Sequence, residues 1–217
     1  MRIPAPLLGV ALAIAGAPAL ADTRFHVDLD TTALQSGASG PFELLFQFDD
    51  GSAVGDANNV VTLGHFVLGS GAGIGPALLD GGASGSLAAG FTLVDDNFYN
   101  AVTQSFTPGA SLGFDVALTT QVDPGGTPDE FSFALIDGSG NLVTTTALGN
   151  ALLVVDIDGA APAIQAFAGT GDYAGLGAPR IGPISTIPEP GLPALLCAGV
   201  VVLAWRRRSM CEGDALR

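Results

Sequence analysis

The two histidines, His26 and His65, are the residues of this chain best suited to acid–base chemistry near neutral pH. A hydrolytic triad would place one of them between a serine nucleophile and an orienting carboxylate. The sequence contains no Gly-x-Ser-x-Gly turn, which presents the serine in many hydrolases, and both histidines fall inside predicted strands. We therefore predict no catalytic residues and no enzymatic activity, with a secreted hydrolase as a minor alternative.

Paired carboxylates are a second source of chemistry, because glycoside hydrolysis requires two acids about 5–10 Å apart in a cleft. The adjacent pairs Asp95-Asp96 and Asp129-Glu130 lie beside the ends of predicted strands. Charged residues at strand ends are typical of solvated turns, and no pair stands out from the others. The acidic pairs therefore do not predict a glycosidase.

Acidic loops also suggest calcium, a hard cation that takes several oxygen ligands from carboxylates and carbonyls. Asp156 and Asp158 lie two residues apart on one strand face, just before a glycine. Asp49 and Asp50 open a second acidic loop that continues to Asn58. No EF-hand spacing accompanies them, and Asp-Gly pairs are ordinary turn chemistry. These four aspartates are weak calcium candidates, and no other cofactor is predicted.

The elements that must position these residues are short β-strands. Apolar residues alternate with polar ones, as in Phe25, Val27 and Leu29, which places one set of side chains in a core and the other toward solvent. The stretch 97–106 is compatible with either a strand or a short helix. Strands are predicted at 25–29, 42–48, 60–68, 87–94, 112–118, 131–135 and 153–157.

Glycine and proline clusters separate the predicted strands, and the chain contains 31 glycines and 14 prolines. Such residues favour tight turns, and Asp137 to Asn141 is typical of a hairpin turn. About eight to ten strands without amphipathic helices between them indicate an all-β fold. We predict an antiparallel β-sandwich or jelly-roll-like ectodomain over residues 22–168, with the strand order open.

Charge excludes one class of partner. Asp and Glu number 21 against 7 Lys and Arg, and every basic residue is an arginine. A surface of this sign repels nucleic acid, and without lysine the chain lacks a common phosphate-binding side chain. Cys197 and Cys211 both lie outside the predicted ectodomain, so that domain must fold without a disulfide.

The N-terminal segment, residues 1–21, is typical of a secretion signal. Arg2 precedes an apolar stretch that is too short to span a bilayer, and small residues follow at Ala19 and Ala21. Polarity rises sharply at Asp22. The sequence therefore predicts cleavage after Ala21 by the secretion machinery.

The C-terminal segment is typical of a membrane stop. A predicted linker rich in glycine and proline, residues 169–187, leads to an apolar run from Leu192 to Trp205 and then to Arg206, Arg207 and Arg208. A C-terminal arginine cluster stays in the cytoplasm by the positive-inside rule. The run is short, about 14 residues or roughly 21 Å of helix, so snorkelling arginines must help it to span. We predict one transmembrane helix followed by a cytoplasmic tail, residues 209–217.

The order of Pro188-Glu189-Pro190, an apolar helix and the arginines 206–208 resembles the PEP-CTERM sorting signal. That resemblance covers residues 188–208 and implies recognition by an exosortase in the inner membrane of a Gram-negative bacterium. The stretch 119–133 is similar to a group of PEP-CTERM proteins of unknown activity, and this second resemblance implies no catalytic residues.

Together these features predict an exported protein that passes through an inner-membrane intermediate to the cell surface or extracellular matrix. The resemblance implies a non-catalytic role associated with exopolysaccharide and biofilm. A carbohydrate-binding or calcium-binding β-sandwich module is the alternative. Stacking on sugars requires exposed aromatic rings, and the part of the chain between the signal and the Pro-Glu-Pro motif offers Tyr99 and Tyr173 besides phenylalanines that are predicted to face the core.

Overall fold

The computed structural model describes residues 22–35, 40–51, 55–122, 127–145, 150–157 and 162–183. The predicted signal, the Pro-Glu-Pro motif, the apolar run, the arginine cluster and Asp158 lie outside these ranges. Among the residues described, no helix is long and apolar enough to cross a membrane.

The described chain is almost entirely antiparallel β-structure, which confirms the all-β prediction. The open stretch at 97–106 is mostly strand, since a strand runs over Tyr99–Thr107. Two short helical segments accompany the strands, α1 (Thr32–Gln35) and a 3₁₀ turn (Gly171–Tyr173). The strands are β1 (Asp22–Asp30), β2 (Phe42–Asp49), β3 (Val60–Val67), β4 (Ala72–Gly73), β5 (Leu78–Asp80), β6 (Gly82–Ser86), β7 (Gly90–Val94), β8 (Tyr99–Thr107), β9 (Ser111–Thr119), β10 (Asp129–Ile136), β11 (Leu153–Ile157), β12 (Ala163–Ala166) and β13 (Arg180–Gly182).

The strands form two sheets. The first sheet has the order β13-β1-β9-β3-β7-β6, and the second has the order β12-β11-β10-β2-β8-β4, with β5 also pairing with β8. Strands β1, β2 and β3 alternate between the two sheets, and so do β7, β8, β9 and β10. Neighbours within a sheet are therefore often distant in sequence, as β1 and β9 are.

The two sheets pack face to face through phenylalanine side chains. In β2 every second side chain is buried, as the apolar alternation predicts. The ring of Phe46 in the second sheet lies 5.2 Å from that of Phe114 in the first, at 82°. Phe46 also stacks on Phe133 of its own sheet at 5.2 Å. Edge-to-face and stacked rings at these distances stabilise a common core.

The boundary predicted at residue 168 is wrong, because the chain as far as Pro183 belongs to the sandwich. Leu176 is completely buried in the core, and the ring of Tyr173 packs edge-on against Phe42 at 6.1 Å. Strand β13 pairs with β1. Glycine has a packing role here, because a Cβ at Gly169 would lie 2.2 Å from the Tyr173 carbonyl oxygen. Gly169 is therefore a close-packed position of the fold and not part of a linker.

Leu176→Ala tests whether this segment is part of the fold. We expect a loss of about 2–5 kcal/mol in the free energy of unfolding, because the change leaves a cavity in the core. Leu78→Ala is the matched control, since Leu78 is 72% exposed and the change should cost less than about 0.5 kcal/mol. Urea denaturation measures both. If the two variants were equally stable, residues 169–183 would be a linker and not part of the folded core.

Candidate functional site

Three loops rich in acidic and amide residues meet at one end of the sandwich, which we call the loop end. They are the β2–β3, β7–β8 and β9–β10 loops. The pairing of Val60 with Val94, and of Val61 with Leu118, brings the start of β3 beside the ends of β7 and β9. The pairing of Asp49 with Glu130 places the end of β2 beside the start of β10. Antiparallel register alone thus gathers the three loops.

Polar side chains at the loop end are buried to an unusual degree. Asp95 and Asn59 are 0% exposed, Asp50 is 1% exposed and Asp129 is 5% exposed. Burying a carboxylate is costly unless hydrogen bonds or opposite charge compensate for the lost water. The hydrogen-bond partners of these groups therefore determine what the loop end can bind.

Asn59 links the three loops through its backbone and side chain. Its backbone N–H donates to Asp95 Oδ2 at 2.9 Å, and its Nδ2 donates to Asp129 Oδ2 at 2.7 Å. The same Nδ2 donates to the Gln121 carbonyl at 2.8 Å. Its Oδ1 accepts from the Gln121 N–H at 2.8 Å and from the Thr119 hydroxyl at 3.1 Å. Asn59 thereby holds Asp95 and Asp129 in fixed positions.

Backbone amides of the β2–β3 loop supply further donors. The Gly51 N–H donates to Asp129 Oδ1 at 2.9 Å, and the Gly55 N–H donates to Asp50 Oδ2. In contrast, Asp95 Oδ1 is buried and has no hydrogen-bond partner among the described residues. The donors described for Asp95 and Asp129 are all neutral N–H groups. Their hydrogen bonds leave the negative charge of the two carboxylates without a cationic partner.

The electrostatics of Asp95 reflect this lack of a cation. Burial raises the pKa of Asp95 to about 7, and the nearby charges of Asp129 and Asp56 also raise it, against the backbone hydrogen bond from Asn59. A side-chain interaction with Asp129 also raises the pKa of Asp95, and Asn59 donates to both carboxyl groups. A proton or a cation beside these two carboxyl groups is therefore favourable.

The calcium candidates named from the sequence occupy different places. Asp50 lies buried at the loop end. Asp49 and Asp156 lie opposite Glu130 on its two neighbouring strands, and sequence reasoning did not connect Glu130 with them. Burial raises the pKa of Glu130, and the charges of Asp156 and Asp49 raise it further. Among the described residues this acidic row comprises Asp49, Glu130 and Asp156, and Asp158 lies outside those residues.

The two histidines converge on one carboxylate, on the outer surface of the first sheet. His26 Nδ1 lies 2.6 Å from Asp115 Oδ1, and His65 Nδ1 lies 2.7 Å from Asp115 Oδ2. Burial disfavours ionisation of Asp115, but the hydrogen bonds and charges of the two histidines outweigh it and lower the pKa of the carboxyl group. His65 has a φ of 52°, at an irregularity in the pairing of β3 with β9. Such strain for a non-glycine residue is uncommon.

The sequence placed both histidines in predicted strands without linking them, so their shared partner was missed. His26 is indeed partly exposed and His65 is largely exposed, with side-chain exposures of 40% and 86%. The contact with Asp115 arises because β9 lies between β1 and β3. Only the strand order brings these residues together, and no local sequence signal reports it.

Exposed aromatic rings lie in the β7–β8 connection of the loop end. Phe98 is 59% exposed and Tyr99 is 40% exposed, and they are adjacent in the chain. Burial raises the pKa of the Tyr99 hydroxyl, with contributions from the charges of Asp49 and Asp80. Tyr173, the other tyrosine named from the sequence, is half-buried and donates its hydroxyl to Asp137 at 2.7 Å. Of the two tyrosines, Tyr99 is the one placed to stack on a ligand.

Comparison with protein-family models, with curated proteins and with solved structures finds no match to this chain. Within the described residues, no three His, Cys, Asp or Glu side chains already form a group that could hold a metal ion. The function must therefore be argued from the residues themselves.

The pH dependence of stability tests the burial of Asp95. The folded-state pKa of about 7 lies above the ordinary value of 3.8, so the folded protein binds a proton more tightly than the unfolded chain does. In chelator, the stability from this group is complete below pH 4 and is lost as pH rises toward about 7. Thermal melts between pH 4 and pH 8 measure this loss.

Two variants isolate the contribution of Asp95 to these melts. Asp95→Asn should flatten the pH dependence, because an amide does not titrate. Asp172→Asn should leave it as in the wild type, because Asp172 is exposed on the 3₁₀ turn. A wild-type slope in Asp95→Asn would show that Asp95 is ionised at pH 4–7.

Proposed function

We propose that this chain is an exported, non-catalytic protein of the cell surface or extracellular matrix, sorted through its C-terminal tail by an exosortase. The observation that carries the proposal is the order of three features, Pro188-Glu189-Pro190, the apolar run and the arginines 206–208. Each feature alone is common. Their order matches a stop-transfer segment whose motif would face the exported side of the membrane.

Export would begin with the signal at residues 1–21 and would stop when the C-terminal apolar run enters the membrane. The apolar run would hold the chain in the inner membrane while the arginines stay in the cytoplasm. Exosortase recognition would then release the ectodomain toward the surface, where exopolysaccharide is the expected surrounding. A net charge of −14 favours a soluble surface that resists self-association.

The strand order supports a jelly-roll topology for the ectodomain. In one sheet, β1, β9, β3 and β7 are neighbours, and in the other β2, β8 and β4 are neighbours. This interleaving of early and late strands is the arrangement produced by two successive Greek keys. Jelly rolls serve both as structural shells and as sugar-binding domains, so the topology is compatible with either function.

The sorting proposal predicts processing at both ends. Protein recovered from the native host should begin at Asp22 and should lack the segment that follows the Pro-Glu-Pro motif. Intact mass spectrometry measures both changes at once. Alanine at Arg206, Arg207 and Arg208 together should leave the C-terminal segment attached, whereas Arg217→Ala should be processed like the wild type. Full-length, cytoplasmic wild-type protein would overturn the proposal.

A carbohydrate-binding module is the second candidate, and the exposed pair Phe98 and Tyr99 favours it. Adjacent exposed rings offer stacking surfaces, and buried carboxylates lie at the same end of the sandwich. Sugar binding would be compatible with export, since the two proposals concern different parts of the chain.

A glycan array tests this second candidate. If the module binds a sugar, Tyr99→Ala should weaken saturable binding at least tenfold, because one face of the sugar loses its stacking partner. Tyr173→Phe is the matched control, since it keeps the ring and lies away from the loop end, and it should bind as the wild type does. A uniformly blank array with the wild-type protein would eliminate this candidate.

A further inference from the structure

We propose that Asp95 and Asp129 bind a calcium ion at the loop end of the sandwich. The proposal does not depend on sorting by an exosortase. It concerns a pair that was not among the calcium candidates named from the sequence, although Asp50 of that set lies at the same end.

Asp95 has an unpartnered oxygen in a fully buried side chain. Asp95 is 0% exposed, and its Oδ1 has no hydrogen-bond partner among the described residues. Native proteins rarely leave a buried polar atom without a partner, and a bound ion is one of the ordinary explanations. Its other oxygen is already held by the Asn59 backbone N–H. The carboxylate is therefore fixed in position with one oxygen left for a ligand.

The charges around Asp95 also favour a bound cation. The acidic groups Asp129 and Asp56 are the charged residues that act on Asp95. Neither arginine of the described chain, Arg24 or Arg180, is among the groups whose charge acts on Asp95. A buried charge without a partner of opposite charge is strongly destabilising, and here two carboxylates are buried together without a cation. A divalent cation supplies the missing positive charge.

The donor atoms select calcium over other metals. The available ligands are oxygens, whereas zinc prefers histidine nitrogen and cysteine sulfur. Magnesium requires a near-ideal octahedron, while calcium accepts six to eight oxygens in irregular loops. Two carboxylates, with the remaining positions filled by backbone carbonyls and water, are compatible with calcium.

The site would join the three loops that form the loop end. Asp95 follows β7, and Asp129 opens β10 while accepting from the Gly51 N–H of the β2–β3 loop. Asn59 is a positioning residue, because it donates to both carboxylates without offering its Oδ1, which is occupied by Gln121 and Thr119. Calcium binding should therefore stabilise the whole sandwich end and not a single loop.

The experiment measures melting temperatures of the full-length protein in mild detergent at pH 8, in EGTA and in calcium chloride. The wild type should melt about 5–10 °C higher when calcium is roughly 100-fold above its dissociation constant. Magnesium at the same concentration should give a much smaller shift. Asp95→Asn should lose the calcium shift, and Asp172→Asn, an exposed matched control, should keep it.

Glu130→Gln distinguishes the proposed site from the acidic row on the sheet surface. This variant should keep the full calcium shift, because Glu130 lies with Asp49 and Asp156 and not with Asp95. Superimposed wild-type curves in calcium and EGTA would overturn the proposal, and the buried pair would then be held by a shared proton. Loss of the shift in Glu130→Gln, with its retention in Asp95→Asn, would also overturn it.

A second measurement decides the case in which Asp95→Asn does not fold. Calcium is titrated into the wild type and into Glu130→Gln by isothermal calorimetry. One saturable site of equal affinity in both proteins supports the proposal. Absence of binding to the wild type, or its loss in Glu130→Gln, overturns it. None of these outcomes depends on processing at the termini, so the proposal can fail while the sorting proposal stands.

Discussion

The contact between the two sheets is the interaction on which the rest of the molecule depends. Phe46, Phe114 and Phe133 lie within 5.1–5.2 Å of one another, and they come from both sheets. The described chain has only short helices and its cysteines lie outside the ectodomain, so burial of apolar surface must supply the main driving force. Because β1 to β3 and β7 to β10 alternate between the sheets, the connections between these strands cross from one layer to the other at an end of the sandwich.

Those crossings explain the character of the loop end. A connection that passes between layers carries backbone and side-chain polar groups into a region shielded from water, where each needs a partner. Asn59 supplies donors and an acceptor to three loops at once. Asp95 and Asp129 accept those donors, all of them neutral N–H groups, and the lack of a cationic donor is the physical basis of the proposed calcium site. The backbone is also closely packed at Gly169, where a side chain would collide with the Tyr173 carbonyl.

Cross-strand neighbours create the other chemical groupings. His26 and His65 share Asp115 because β9 separates β1 from β3, and Glu130 lies between Asp49 and Asp156 because β10 separates β2 from β11. In the first grouping imidazoles compensate the carboxylate, and the pKa of Asp115 falls. In the second no cation does so, and the pKa of Glu130 rises. Two sets of similar geometry thus acquire opposite electrostatics from the residue types that the register brings together.

The sequence by itself determined the longer strands and their buried faces, because the two-residue period of a strand is a local property, which Phe42, Leu44, Phe46 and Phe48 show directly. It did not predict β4, β5, β6, β12 or β13. It also determined the acidic, lysine-free surface and the features of the two ends of the chain. Only the tertiary structure decided that residues 169–183 belong to the sandwich, since a single buried Leu176 among glycines leaves no periodic signal. It also decided the pairing of Asp95 with Asp129 and of both histidines with Asp115. These contacts join residues 34 to 89 positions apart, and their distance in space depends on strand order and register, which no local pattern encodes.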